Sequence, residues 1–139
     1  MNRSHYILLA LALGATLTGC ARNPEPVIRQ RAQKYTQLLI DDQFDQAVDY
    51  FDPDIVAKEG RTAVMDQFKV VIGIVKGLTA LGGRKPDGFV IRTVDIDTAK
   101  THANVQVIFL TTDNNGGDRK EHPTDQKWAL KNNTWYAMR

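Results

Sequence analysis

The apolar residues of this chain change their spacing once, at residues 82–86. Before this break they recur every three or four residues, which is the spacing of an amphipathic helix, and after it they alternate, which is the spacing of a half-buried strand. A chain with its helices first and its strands second predicts an α+β domain in which the helices gather on one face of an antiparallel sheet.

Three helices are predicted, over 26–41, 43–51 and 59–81, and the Asp52-Pro53 pair is expected to stop the second. In the third, Gly73 and Gly77 lie one turn apart and permit a close backbone approach. A Gly-x-x-x-Gly pair also marks membrane-helix dimers, but lysines interrupt this stretch, so packing within a soluble domain is favoured. The apolar stripe expected to face the core consists of Val64, Phe68, Val71, Ile72 and Val75.

Four strands are predicted, over 89–96, 102–112, 118–131 and 134–138, and the residues between them favour turns. His122-Pro123 interrupts the third pattern and indicates an irregular edge strand. Alternation along the strands assigns one set of side chains to the core: Phe89, Ile91, Val105, Val107, Phe109, Trp128, Leu130 and Trp135.

Residues 1–19 are typical of an export signal rather than of the folded domain. Arg3 precedes an apolar run over 6–15, and small residues follow up to Gly19. The run is about half the length of roughly 20 residues that a helix needs to cross a bilayer. We therefore expect residues 1–19 to be a signal peptide.

The four residues Leu17-Thr18-Gly19-Cys20 resemble the bacterial lipobox. The resemblance implies cleavage before Cys20 and acylation of this cysteine, with residues 20–26 as a lipidated tether and 27–139 as the domain. Ala21, in place of aspartate, implies the outer membrane of a Gram-negative envelope, facing the periplasm. An ordinary signal peptide that happens to contain a cysteine is the alternative.

Charge and cysteine content exclude some classes of function. The formal charge is +2, without a block of lysine and arginine on one element, so the basic stripe of a nucleic-acid-binding protein is missing. A single cysteine cannot form an internal disulfide, and the core alone must hold the domain together.

Three segments resemble the NTF2-like superfamily, which includes nuclear transport factor 2, SnoaL and ketosteroid isomerase. They are 38–56 (LLIDDQFDQAVDYFDPDIV), 94–109 (VDIDTAKTHANVQVIF) and 125–138 (DQKWALKNNTWYAM). The resemblance covers nearly all of 27–139 and implies a cone, with the helices packed on a curved four-stranded sheet around a pocket. Isomerases, dehydratases, ligand carriers and interaction modules share this fold, so it does not imply one activity.

The candidate pocket is apolar and lacks the buried carboxylate that an isomerase of this superfamily would use. We assign no catalytic residue, cofactor or metal; His102 and His122 have no neighbouring cysteine or glutamate at a zinc-binding spacing. The residues expected to line the pocket are Tyr35, Phe68, Val107, Phe109, Trp128 and Trp135.

A second candidate site is the outer face of the sheet, where Ile108, Leu110, Tyr136 and Met138 are expected to form an apolar patch. Such a patch predicts a homodimer or a docked envelope protein, unless the last strand or the loop 113–118 covers it.

The sequence favours a non-catalytic envelope lipoprotein that binds a protein partner or a small apolar ligand. The alternative is a periplasmic isomerase or hydrolase that uses Tyr35 or Tyr50 together with Asp95 or Asp97.

Overall fold

The structure of the protein, a computed structural model, describes residues 22–139. The signal segment and Cys20 lie outside the described residues. The helices are α1 Glu25–Ile40, α2 Phe44–Ala47, which continues into a 3-10 turn at Val48–Tyr50, α3 Pro53–Glu59 and α4 Arg61–Leu81. The strands are β1 Arg84–Ile96, β2 His102–Asp113, β3 Arg119–Lys131 and β4 Thr134–Ala137.

The strands form one antiparallel sheet in the order β1-β2-β3-β4, and the helices precede it in the chain, as the sequence predicts. The sheet curls into a half-barrel beside the helices, which is the NTF2-like α+β cone. One core cluster joins α1, the turn after α2, α4 and the inner face of the sheet. Among residues 22–139, no helix combines the length and the apolar character needed to cross a membrane.

The sequence pattern does not predict helix α3, because Asp52-Pro53 is expected only to end the preceding helix. The same two residues also start a helix: the Asp52 side chain accepts a hydrogen bond of 3.0 Å from the Asp54 N–H, and proline suits the first helical turn. Asp52 is buried, and its carboxylate accepts a hydrogen bond of 2.6 Å from the Lys131 ammonium. Its backbone N–H donates to the Ala137 carbonyl at 2.9 Å. It therefore joins α3 to the β3–β4 hairpin.

Strand β1 begins five residues earlier than predicted, so only Gly82 and Gly83 connect it to α4. Pro86 is tolerated because β1 is an edge strand, and a register irregularity follows it. Pro123 is tolerated in β3 for a similar reason, because this part of β3 is also an edge. β4 pairs only with Trp128–Lys131, which leaves the first part of β3 as an edge, while the pairing of Pro123 with Ile108 of β2 stays in register.

Candidate functional site

The six residues predicted to line a pocket lie in the core or against it. Tyr35, Val107, Trp128 and Trp135 belong to the buried cluster, and the partly buried Phe68 and Phe109 pack against it. Tyr35 lies at its centre, with its ring edge-on to Phe68 at 6.0 Å and to Trp128 at 5.8 Å, while Phe51 contacts Phe68 at 5.2 Å. Offset and edge-on rings at these distances pack favourably. The interior of the cone is therefore filled by the side chains of the protein itself.

The two tyrosines considered as catalytic groups have other partners. Burial raises the pKa of the Tyr35 hydroxyl well above its ordinary value, so this group stays protonated. The guanidinium of Arg31 lies 4.6 Å from the centre of the Tyr50 ring and 5.5 Å from that of Tyr136. Its Nε donates to the Trp135 carbonyl at 2.6 Å. This stack fastens α1 to the last strand.

Asp95 and Asp97, the carboxylates considered together with these tyrosines, lie at the turn between β1 and β2. Asp97 accepts hydrogen bonds from the backbone N–H groups of His102, at 3.1 Å, and Thr101, at 2.8 Å, and these bonds lower its pKa. Asp95 contacts the Thr93 hydroxyl at 3.4 Å. Both border an open depression of about 600 Å³. Because its oxygens serve the turn, Asp97 is a poor candidate for an acid or base.

The histidines lie near other polar side chains and do not complete a metal site within 22–139. The exposed His102 ring has its Nδ1 3.0 Å from the Thr101 hydroxyl and 3.4 Å from the Asp97 carboxylate. The His122 Nε2 lies 2.9 Å from the Thr111 hydroxyl, which also accepts from Arg84 Nε at 2.8 Å. Within the described residues, no carboxylate is hydrogen-bonded to the other ring nitrogen of His122. The Thr111 side chain is itself buried. The part of the chain that the structure describes holds no group of three metal-binding side chains.

The predicted patch on the outer face of the sheet is not exposed. Ile108 is fully buried and Leu110 is 9% exposed, so the expected exposure of these two residues is wrong. Leu110 pairs with Glu121 of β3, and the Arg92–Glu121 ion pair of 2.6 Å joins the strands on either side of β2. These longer side chains shield the apolar residues between them.

The remaining two predicted interface residues are half-buried. Tyr136 lies against Arg31, and the Met138 N–H donates to the Lys127 carbonyl at 2.8 Å. The four residues do not share one accessible patch, and whether any of them contacts a partner stays a prediction.

Within residues 22–139, the largest group of exposed apolar side chains lies on α4, where the sequence predicts core packing. Val71 and Val75 are 57% and 52% exposed, and Val64 is the only fully buried residue of the helix. We call the exposed set the α4 apolar face; it consists of Val70, Val71, Ile74, Val75, Leu78 and Leu81.

The spacing of the α4 apolar face could have been recognised from the sequence. Val71, Ile74, Leu78 and Leu81 follow one another at intervals of three, four and three residues, which is the a and d pattern of a helix that packs against another helix. The inner side of this half of α4 carries instead the half-buried Ile72, Lys76 and Thr79. The helix therefore has a second apolar side that the domain does not use.

The two lysines of α4 lie on the side of the helix opposite this face, and both are paired. Lys69 lies 2.9 Å from the Asp66 carboxylate. The Lys76 ammonium lies 2.7 Å from Asp42 and 3.2 Å from the Ile40 carbonyl at the end of α1. Neither lysine of α4 therefore borders the α4 apolar face.

Comparison with known proteins supports the fold. A solved structure from Campylobacter jejuni, provisionally named an NTF2-like transpeptidase, is similar with a TM-score of 0.58 and 20% sequence identity, over 85% of this chain and 99% of that one. The intermembrane space region of the chloroplast protein ARC6 is more distant, with a TM-score of 0.48 and 12% identity, over 85% of this chain and 95% of that one. No family model matches the chain, and no curated protein matches it significantly. The fold is NTF2-like, and at this identity the likeness concerns the fold alone.

Proposed function

We propose that this protein is an envelope lipoprotein, anchored through Cys20, whose NTF2-like domain is a non-catalytic interaction module. The observation that carries the proposal is the filled interior of the cone. Tyr35, Phe68 and Trp128 pack against one another where the sequence predicts a pocket. This packing favours a domain that works through its surface.

The surface that supports an interaction role is the α4 apolar face. Single exposed apolar residues are normal on proteins, but a contiguous group marks association. Six neighbouring side chains, each more than half exposed, occupy three turns of one helix. No comparable convergence supports the enzyme alternative, since Tyr50 stacks on Arg31 and Asp97 serves its turn.

The anchor is supported by the sequence around Cys20 and by its distance from the domain. Four residues separate Cys20 from the first residue of α1, Glu25. A tether this short would keep the domain close to the bilayer. Acyl chains on Cys20 would make the attachment long-lived, because each buried CH₂ contributes about 0.8 kcal/mol.

One experiment on membranes tests both parts of the proposal. The wild-type chain should incorporate labelled palmitate, float with outer-membrane vesicles and form covalent complexes when these membranes are crosslinked. Cys20→Ala should accumulate as an unprocessed or mislocalised protein. Unlabelled wild-type chain in the soluble periplasm would contradict the anchor, whereas a labelled chain that forms no complex would contradict the interaction role.

A further inference from the structure

We infer that the α4 apolar face is the contact surface of a homodimer, in which α4 of one chain packs against α4 of a second copy. This inference rests on the proposed interaction role and specifies its partner. It does not depend on the Cys20 anchor. It also moves the predicted homodimer contact from the sheet, where Ile108 and Leu110 are buried, to the helix.

The pattern of the face indicates that its partner is a helix. A seam of a and d residues needs a facing helix, into which its side chains insert. Val70 and Val75 flank the seam and widen it on both sides. A small ligand would not need a straight apolar strip over three turns.

The area fits a dimer. Fully burying a valine, leucine or isoleucine side chain removes about 100 Å² of apolar surface. The exposed parts of these six residues therefore present on the order of 400 Å² of apolar surface per chain. Since the core of an interface is about 65% apolar, two such faces correspond to about 1,200 Å² of total buried surface. This value lies at the lower end of the range for stable specific complexes.

The charges favour a second copy over a lipid surface. A helix that lies on a membrane carries free lysine and arginine side chains around its apolar face. Here the two lysines of α4, Lys69 and Lys76, lie on the opposite side of the helix and are paired with Asp66 and Asp42. A self-contact must avoid bringing like charges together, and a face without lysine of its own helix at its edges meets this condition.

The neighbouring glycines are consistent with a close helix contact. An added Cβ would meet nothing within 4 Å at Gly73 or at Gly77. No described part of the domain therefore occupies the space beside them, and the close backbone approach that the sequence predicts at this pair has no partner within 22–139.

The test measures the mass of the full chain, purified from membranes in a mild detergent, by light scattering. We expect twice the chain mass for the wild type and the single-chain mass for Ile74→Lys, with dimer affinity reduced at least tenfold. Val27→Lys is the matched control, because Val27 is a similarly exposed apolar residue (51% against 57%) on a different helix. It should remain dimeric. A single-chain wild type, or an Ile74→Lys protein that stays dimeric, would overturn the inference.

Crosslinking identifies the surface directly. In Ile74→Cys, a short bismaleimide should join two copies, whereas Ala80→Cys, on another side of the same helix, should give no more crosslinked product than the wild type. Equal crosslinking of the Ile74→Cys and Ala80→Cys proteins would overturn the inferred contact between the two α4 helices. A monomer that loses binding to neutral lipid vesicles upon Ile74→Lys would instead assign the face to lipid. A complex with a different protein would reject the second copy and leave the proposed interaction role intact.

Discussion

The two halves of α4 carry the same kinds of residue and have opposite surroundings. In the first half, Val64 is fully buried and Phe68 packs against Tyr35 and Phe51. In the second half, Val71 and Val75 are more than half exposed. The two halves differ because the other helices cover only part of α4. The helix continues to Leu81, and two residues separate its end from β1. An apolar stripe on a helix therefore does not show that the rest of the same domain covers it.

The largest expected effect concerns the core against which the first half of α4 packs. Trp128 is 1% exposed and contacts Tyr35, which contacts Phe68. Trp128→Ala should lower the free energy of unfolding by about 3 to 5 kcal/mol, as is typical of a buried tryptophan. Urea unfolding of the full chain provides the measurement. An unchanged midpoint would mean that the interior is not packed as described.

A direct comparison of the halves uses one substitution at two positions. Val64→Ala should lower the free energy of unfolding by about 2 kcal/mol, because it removes buried methyl groups and leaves a cavity. Val71→Ala should change it by less than about 0.5 kcal/mol, since an exposed valine loses little and alanine favours the helix. Both are measured by urea unfolding at concentrations too low for self-association. Equal losses would abolish the distinction between the halves.

The smallest expected effect is a pH dependence of stability that arises from Glu59, at the end of α3 just before α4. Hydrogen bonds from Arg139 and from Gln67 of α4 lower the pKa of Glu59 from 4.5 to about 2. A depressed carboxyl pKa stabilises the folded state fully above pH 4.5, and the stabilisation is lost as the pH falls toward 2. The difference in melting temperature between the wild type and Glu59→Gln should therefore be present at pH 6 and shrink steadily below pH 4.5. Because these groups are exposed, we expect a small shift. A difference that does not vary with pH would rule out this role of the Glu59 charge.

The order of elements and the inward residues of the sheet follow from the sequence, because burial imposes a period of two on strands and three to four on helices. Val105, Val107 and Trp128 belong to the core cluster, and Phe89 and Ile91 pack against it, as their alternation predicts. The same reasoning missed α3, because a proline that ends one helix can also begin the next.

Exposure could not be predicted in the same way. Alternation placed Ile108 and Leu110 on the outer face, but the shielding by Arg92 and Glu121 depends on a pairing across three strands that periodicity does not show. For the candidate site, the sequence identified aromatic residues that converge, yet whether they enclose a cavity or fill it depends on ring geometry. On α4, the predicted core stripe included Val71 and Val75, which are more than half exposed, because periodicity does not show where along a helix its contacts end.

The contacts of Asp52 constrain the kinetics of folding. Its ion pair with Lys131 joins residues that are 79 positions apart in the chain. Contacts between distant residues form slowly, because a long loop must close before they can stabilise anything. The first residues of α3 therefore cannot reach their final surroundings until the β3–β4 hairpin is available.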